Sequence, residues 1–329
     1  MPIAMPCLIN VEKIFAGDLL LQIYKPQKCA LETLDTLEKG CWINLEEPTD
    51  DEINRILSET QVLPEFLKYP LDMEETSRVE SDEGQLLIIV KIPHPEHVED
   101  VVRYETIPLG IILLEDLVIT VCPVKSAVLD KVVETATKQR ALSSHIRFIF
   151  NIFLRVAGEY LRYLRLIDRL MDEYEEELHR SMRNKELIKL LNLEKSLVYF
   201  NTSLKANDMV MARLGSGRYL AISEDDEDIL EDAQIENQQA IEMAKIYSDI
   251  LAGMMDAYAS VISNNLNIVM KFLTAVTIVL MLPNLVASIY GMNIELPFQH
   301  NPHAFFITMG LSFLMSAVVV YIFIRKKMF

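Results

Sequence analysis

The stretch FLTAVTIVLMLPNLVASIYGMN, residues 272–293, decides the fold. Its first nineteen residues carry no charge. At about 1.5 Å of rise per residue, a helix of this length crosses a hydrocarbon core of about 30 Å. A second uncharged run, AFFITMGLSFLMSAVVVYIFI at 304–324, follows a thirteen-residue connection and ends against Arg325, Lys326 and Lys327. No Lys or Arg lies within 272–324, whereas Lys271 directly precedes the first run. Basic residues stay on the cytoplasmic side, so both termini are expected there and 291–303 outside.

Working outward along the first run, Asp256, Ser260, Ser263, Asn267, Met270, Thr274, Thr277, Met281, Asn284, Ser288 and Gly291 are separated by alternating steps of four and three. That is a seven-residue repeat, which places them along one line of a helix in a left-handed bundle. The line is polar or small almost throughout, in a segment otherwise made of Leu, Ile, Val, Phe and Ala. Two readings compete: small and hydroxyl residues mark tight helix packing in membranes, whereas two amides and several hydroxyls on one line suit the wet wall of a pore.

The whole chain has 329 residues, room for a domain of ordinary size plus membrane helices. A formal net charge of -17 argues against nucleic acid, whose phosphates need a basic surface, and fits attraction of cations. Glu12, Lys13 and Asp18 break the start that a cleavable signal peptide requires. Cys7, Cys29, Cys41 and Cys122 are irregularly spaced and read as reduced thiols rather than a disulfide or metal framework.

Residues 1–142 read as a cytoplasmic α/β domain. The runs 85–92, 107–114 and 117–122 are β-branched and apolar and predict strands. Thr49 followed by Glu52 is a capping box, and Pro64 suits the first turn of another helix. Trp42 reads as core. His94 and His97, in Pro-His-Pro-Glu-His, read as a proline-rich turn between two strands, since a metal would need more donors nearby. No nucleophile with its base, phosphate loop or zinc spacing is visible, so the chain is not expected to be an enzyme.

Residues 143–223 read as a cytoplasmic helical hairpin. Phe153, Ala157, Tyr160, Leu164, Ile167, Met171, Tyr174 and Leu178 repeat the four-and-three pattern, and Gly215-Ser216-Gly217 supplies a break. Residues 224–290 carry no proline before Pro283 and predict one stalk helix, on the order of 100 Å long, that continues into the first span. Ala240, Ala244, Tyr247, Leu251, Met254, Tyr258 and Val261 form its seam for neighbouring helices. Residues 291–303 are the outer loop and 304–329 the second span with its basic end. The acidic residues of 224–236 have two readings, a solvated helix start or oxygen ligands for a divalent cation.

With its Gly291-Met292-Asn293 triplet between two C-terminal spans, behind a long helix and an acidic α/β domain, the chain resembles the CorA family of divalent-cation (magnesium) transport proteins. The wording is close over 256–293 and the organisation agrees throughout. The resemblance implies an α+β membrane protein, a funnel-shaped homo-oligomer of five copies whose first spans line one pore, Mg²⁺ as transported and regulatory ion, and no organic cofactor. It implies the cell inner (plasma) membrane as location. It makes Asn293 the outer selectivity residue, with Gly291 and Met292 shaping its turn. It places Asn267, Met270, Leu273, Met281 and Asn284 at pore rings and Asp256 at the inner mouth.

The resemblance further matches Asp232 to one partner of a cytoplasmic regulatory site between subunits, with Asp72 near the other partner's position. The family's acidic Met-Pro-Glu-Leu segment is replaced here by Ile294-Glu295-Leu296-Pro297-Phe298, which leaves Glu295 for ion capture. The related zinc branch typically carries Gly-Ile-Asn where this chain has Gly-Met-Asn. A zinc transporter of that branch is therefore the near alternative to Mg²⁺, Co²⁺ or Ni²⁺ transport. A membrane-tethered coiled-coil scaffold is the alternative of another class, although it needs no amides on an intramembrane line.

Overall fold

The computed structural model describes residues 21–27, 30–34, 40–98, 101–115, 117–138, 144–181, 184–293, 297 and 302–326. The chain divides into two units between Ala252 and Gly253, within a single helix.

The first unit is built on strands β1 (Leu21–Gln27), β2 (Ala30–Leu34), β3 (Trp42–Glu46), β4 (Arg78–Asp82), β5 (Gln85–Val98), β6 (Val101–Leu113) and β7 (Val118–Cys122). They form one sheet in the order β2-β1-β3-β7-β6-β5-β4. Among the described strands, β3 and β7 run parallel and the other neighbours are antiparallel. Successive side chains of a strand point to opposite faces. Ile43 and Leu45 of β3 accordingly join one core with Ile119 and Val121 of β7, while Trp42 stacks on Tyr24 and packs at a tilt against Phe148.

Helices α1 (Asp50–Glu59) and α2 (Pro64–Lys68) supply Ile53, Ile56, Phe66 and Leu67 to the first core. Fully burying each such side chain stabilises the fold by about 1.5–3 kcal/mol. Thr49 starts α1 through the expected capping box, and Pro64 occupies the first turn of α2. A 3₁₀ turn, Tyr69–Leu71, then brings Pro70 onto β6. Only glycine fits at position 110 there, because a Cβ would lie 2.2 Å from the Pro70 ring.

The three predicted strands are present, but β5 runs through Pro93 and Pro95, which pair with Thr106 and Tyr104. Residues 93–97 are therefore strand, not the turn that their prolines suggest. The physical reason is an open edge. The β4 pairing stops at Ile89, so among the described residues the rest of β5 has a strand neighbour on one side only, where a missing N–H is tolerated. The buried Asn207 side chain covers part of that edge: Oδ1 accepts from the Lys91 N–H at 2.9 Å and Nδ2 donates to the Lys91 carbonyl at 2.7 Å.

Helices α3 (Ala127–Lys138), α4 (His145–Ser181) and α5 (Asn184–Gly215) follow. All eight residues of the 153–178 repeat on α4 are buried, among them Tyr160 packed edge-on against Phe200 of α5. Phe148, Ile149, Phe150, Ile152 and Phe153 are buried too, as befits a segment too short to cross a bilayer. Cys41 and Cys122 are buried and form no disulfide among the described residues, and burial pushes the Cys122 thiol up to about 12. Cys7 and Cys29 lie outside the described residues.

Helix α6 runs unbroken over Glu224–Tyr290, 67 residues, and α7 over Ala304–Arg325. Along α6 the residues of the expected seam are buried at Ala240, Ala244, Leu251 and Tyr258, half-buried at Tyr247 and Met254 and exposed at Val261. The second unit consists of the later part of α6, the connection and α7. Both helices contain segments long and apolar enough to cross a membrane.

Candidate functional site

From Asp256 to Gly291, every residue of the four-and-three line on α6 is exposed. A different line on the same helix is covered: Ala275 and Val286 are buried, and Val286 borders a cleft shared with Thr308, Met309 and Ser312 of α7. Counted on a heptad-wound helix, the covered line lies roughly 150° round from the polar one. Helix α7 therefore leaves the polar line open along most of its length. Asn284 is at the margin, exposed yet also bordering the cleft of 430 Å³ between α6 and α7.

Several hydroxyls on this line share one geometry. Ser260 Oγ donates to the Asp256 carbonyl at 3.1 Å, Thr274 Oγ1 to Met270 at 2.7 Å and Thr277 Oγ1 to Leu273 at 2.8 Å. Each proton is thereby taken up by the helix itself, and the oxygen keeps its lone pairs as acceptors. Such oxygens accept from the waters around a hydrated cation, which present hydrogens outward. Between them stand apolar side chains: Met270, Leu273 and Met281 are 52%, 57% and 63% exposed. Leu273 is adjacent to the polar line rather than on it.

The line ends where α6 does. Gly291 N–H donates to the Ala287 carbonyl at 3.0 Å and Met292 N–H to Ile289 at 3.2 Å, closing the last turn before Asn293. A Cβ at Gly291 would stand 3.3 Å from the Ala287 oxygen, tighter than most real contacts. Tyr290 Oη donates to the Pro297 carbonyl at 3.2 Å and ties the helix end to the connection. Gly291, Met292 and Asn293 are all exposed. Glu295, named for ion capture, lies outside the described residues.

In the first unit, Asp72 follows the Tyr69–Leu71 turn and its Oδ1 accepts from Glu74 N–H at 3.0 Å. Asp232 stands on α6; both carboxylates are exposed. Among the described residues, no three His, Cys, Asp or Glu side chains are grouped to hold a metal ion. Lys91 Nζ donates to the Met73 carbonyl at 2.6 Å and is drawn to Glu74, Asp72 and Glu75. Burial lowers its pKa, and those three carboxylates offset part of that shift. At the start of α6, Asp226 is buried, accepting from Ser223 Oγ and from Arg147 Nε at 2.8 Å. This part of the acidic run is helix-start chemistry.

Sequence reasoning missed one contact of α6. Ser316 Oγ on α7 donates to the Val279 carbonyl at 3.4 Å. Pro283 was the available signal, since proline leaves the carbonyl four residues earlier without a partner. Which hydroxyl of α7 fills it depends on the register of the two helices, which no local pattern encodes.

A mixed-sheet domain, long helices and two terminal apolar helices, the first with a polar line turned away from the second, define a class of two-span membrane protein. Residues 38–326 match the model of the CorA-like Mg²⁺ transporter protein family, and the chain belongs to that family. It is 33% identical over 291 residues to the cobalt/magnesium transport protein CorA of Methanocaldococcus jannaschii, covering 87% of this chain and 90% of that one. The complete structure of the CorA magnesium transporter from that organism superposes with a TM-score of 0.80 at 28% identity, over 94% of this chain and 98% of the other. The ZntB cytoplasmic domain of Vibrio parahaemolyticus shares the fold, with a TM-score of 0.59 at 13% identity over 74% of this chain and 98% of that one.

Proposed function

We propose that this chain is a channel or transporter that passes hydrated Mg²⁺, and Co²⁺ with it, down the electrochemical gradient through a central pore. One observation carries the reading: the line from Asp256 to Gly291 is polar or small at every position but Met270 and Met281 and exposed throughout, on the side of α6 that α7 leaves open. In lipid, Asn267 and Asn284 on such a line would be costly. Further copies of the same helix remove the cost by enclosing the line around water. Two spans cannot enclose a path alone, so the pore requires an oligomer. Five copies is the number that the family resemblance implies.

Mg²⁺ gives up its water reluctantly. Along the line no carboxylate follows Asp256, so the wall offers amide and hydroxyl oxygens to the ion's hydration shell rather than ligands to the bare ion. Asn293 presents its amide at the outer entrance, Glu295 gathers the ion, and Asp256 meets it at the inner mouth. Met270, Leu273 and Met281 form apolar rings that close by excluding water. The membrane potential drives a divalent ion with about 4.6 kcal/mol per 100 mV, twice the value for one charge.

Regulation rests on Asp232 and Asp72. Mg²⁺ binds through one or two carboxylates and keeps several waters, so two exposed aspartates from neighbouring copies suit it. The ion would hold the closed arrangement, and its loss would release it. The protein would sit in the plasma membrane with both termini inside.

The test is ion uptake into proteoliposomes by the parent and Asn293→Ala, run with Mg²⁺, Co²⁺ and Zn²⁺. Mg²⁺ and Co²⁺ uptake is expected in the parent, with a loss of about tenfold or more in the variant, equivalent to about 1.4 kcal/mol. Equal uptake in both removes Asn293 from the mechanism. Uptake of Zn²⁺ alone, coupled to a pH gradient, replaces the reading with zinc transport, and no uptake of any ion favours the scaffold.

A further inference from the structure

Pro283 has no backbone N–H, so α6 cannot make its usual bond from residue 283 to the Val279 carbonyl. The structure fills that oxygen from the other helix, through Ser316 Oγ at 3.4 Å. α7 carries Thr308, Ser312 and Ser316 at steps of four, one above another on a face. Thr308 Oγ1 bonds within its own helix, to Ala304 and Phe305, whereas Ser316 reaches across.

The cleft of 430 Å³ opens next to this tie, bordered by Pro283, Asn284, Val286 and Tyr290 on one side and Phe305 and Ser312 on the other. Side-chain packing between the helices is therefore thin beside the proline. The hydroxyl tie lies at the place where α6 lacks one of its own bonds. Pro283 also stands between Met281 and Asn284 of the polar line, so the direction α6 takes there decides where both side chains stand.

We propose that Ser316 is a positioning residue: its hydroxyl replaces the missing Pro283 N–H at the Val279 carbonyl and thereby fixes the path of α6 between Met281 and Asn284. The inference rests on backbone chemistry and stands apart from the transport reading. It requires that Ser316 matter because Pro283 is there.

A double-mutant cycle on the full-length protein in nanodiscs tests that dependence. Ser316→Ala should lower the thermal midpoint by about 2–4 °C, and Ser316→Thr should restore it. In the Pro283→Ala background, where residue 283 again donates to Val279, Ser316→Ala should produce a shift smaller than about 1 °C. The same loss in both backgrounds would overturn the proposal. Hydrogen–deuterium exchange provides a measurement that does not need the proline variant to assemble. Amides of 280–287 should exchange several-fold faster in Ser316→Ala than in the parent, and unchanged exchange would likewise overturn it. A protein that moved no ion would still give this result, so the two readings fail separately.

Discussion

At the scale of single residues, hydrogen-bond partners separate side chains that face a neighbouring helix or strand from those free to face water. Thr120 Oγ1 accepts from Trp42 Nε1 at 2.9 Å and donates to Asn44 Oδ1 at 2.7 Å, all three residues being buried. Thr120→Val keeps the shape and strands both neighbours, at a cost of about 1–3 kcal/mol. Thermal unfolding followed through the fluorescence of Trp42, the chain's single tryptophan, should show the lowered midpoint. On the polar line the hydroxyls of Ser260, Thr274 and Thr277 bond to their own helix, so their remaining capacity is to accept. The residue types on that line were legible in the sequence, but this division of donors and acceptors was not, because it depends on which rotamer the helix permits.

At the scale of elements, α6 shows how one helix answers to different surroundings along its length. Its start is pinned to α4 by Asp226 and Arg147. Burial opposes the charge on Asp226, but hydrogen bonds from Ser223 and Arg147 with the Arg147 charge outweigh it and hold the carboxyl below its usual range. A depressed folded value means that the stabilisation is complete above the unfolded value of about 3.9 and is lost as pH falls through the folded one. Unfolding titrated from pH 6 to pH 3 should therefore show a loss of stability in the acid limb that Asp226→Asn removes. At pH 6 that variant should be weaker by about 1–3 kcal/mol. The long helix was readable from its unbroken run and acidic start. The strand character of 93–97 was not, because proline signals a turn locally and only the open edge of β5 makes room for it.

At the scale of the whole molecule, the proposed regulatory ion belongs to the assembly rather than to one chain. If Mg²⁺ joins Asp232 of one copy to the Asp72 region of another, it stabilises the closed oligomer by mass action, by about 2.7 kcal/mol at one hundred times its dissociation constant. Melting the purified oligomer across a Mg²⁺ series should show a rising midpoint in the parent and a flat one in Asp232→Ala. Uptake by that variant should no longer be slowed by Mg²⁺ on the cytoplasmic face. An unchanged Mg²⁺ response in Asp232→Ala would remove Asp232 from regulation.

The sequence by itself determined the two apolar helices, the polar line, the heptad core of α4, the capped start of α1 and the family. Each is written in a period, a cap or a motif only a few residues long, which is the range over which local pattern acts. The tertiary structure alone decided which side of α6 is covered and that β5 continues through its prolines. It also decided that Asn207 serves as the edge partner of Lys91 and that Ser316 meets the carbonyl freed by Pro283. These depend on the register between segments distant in sequence, and register is set by packing complementarity that no single segment contains.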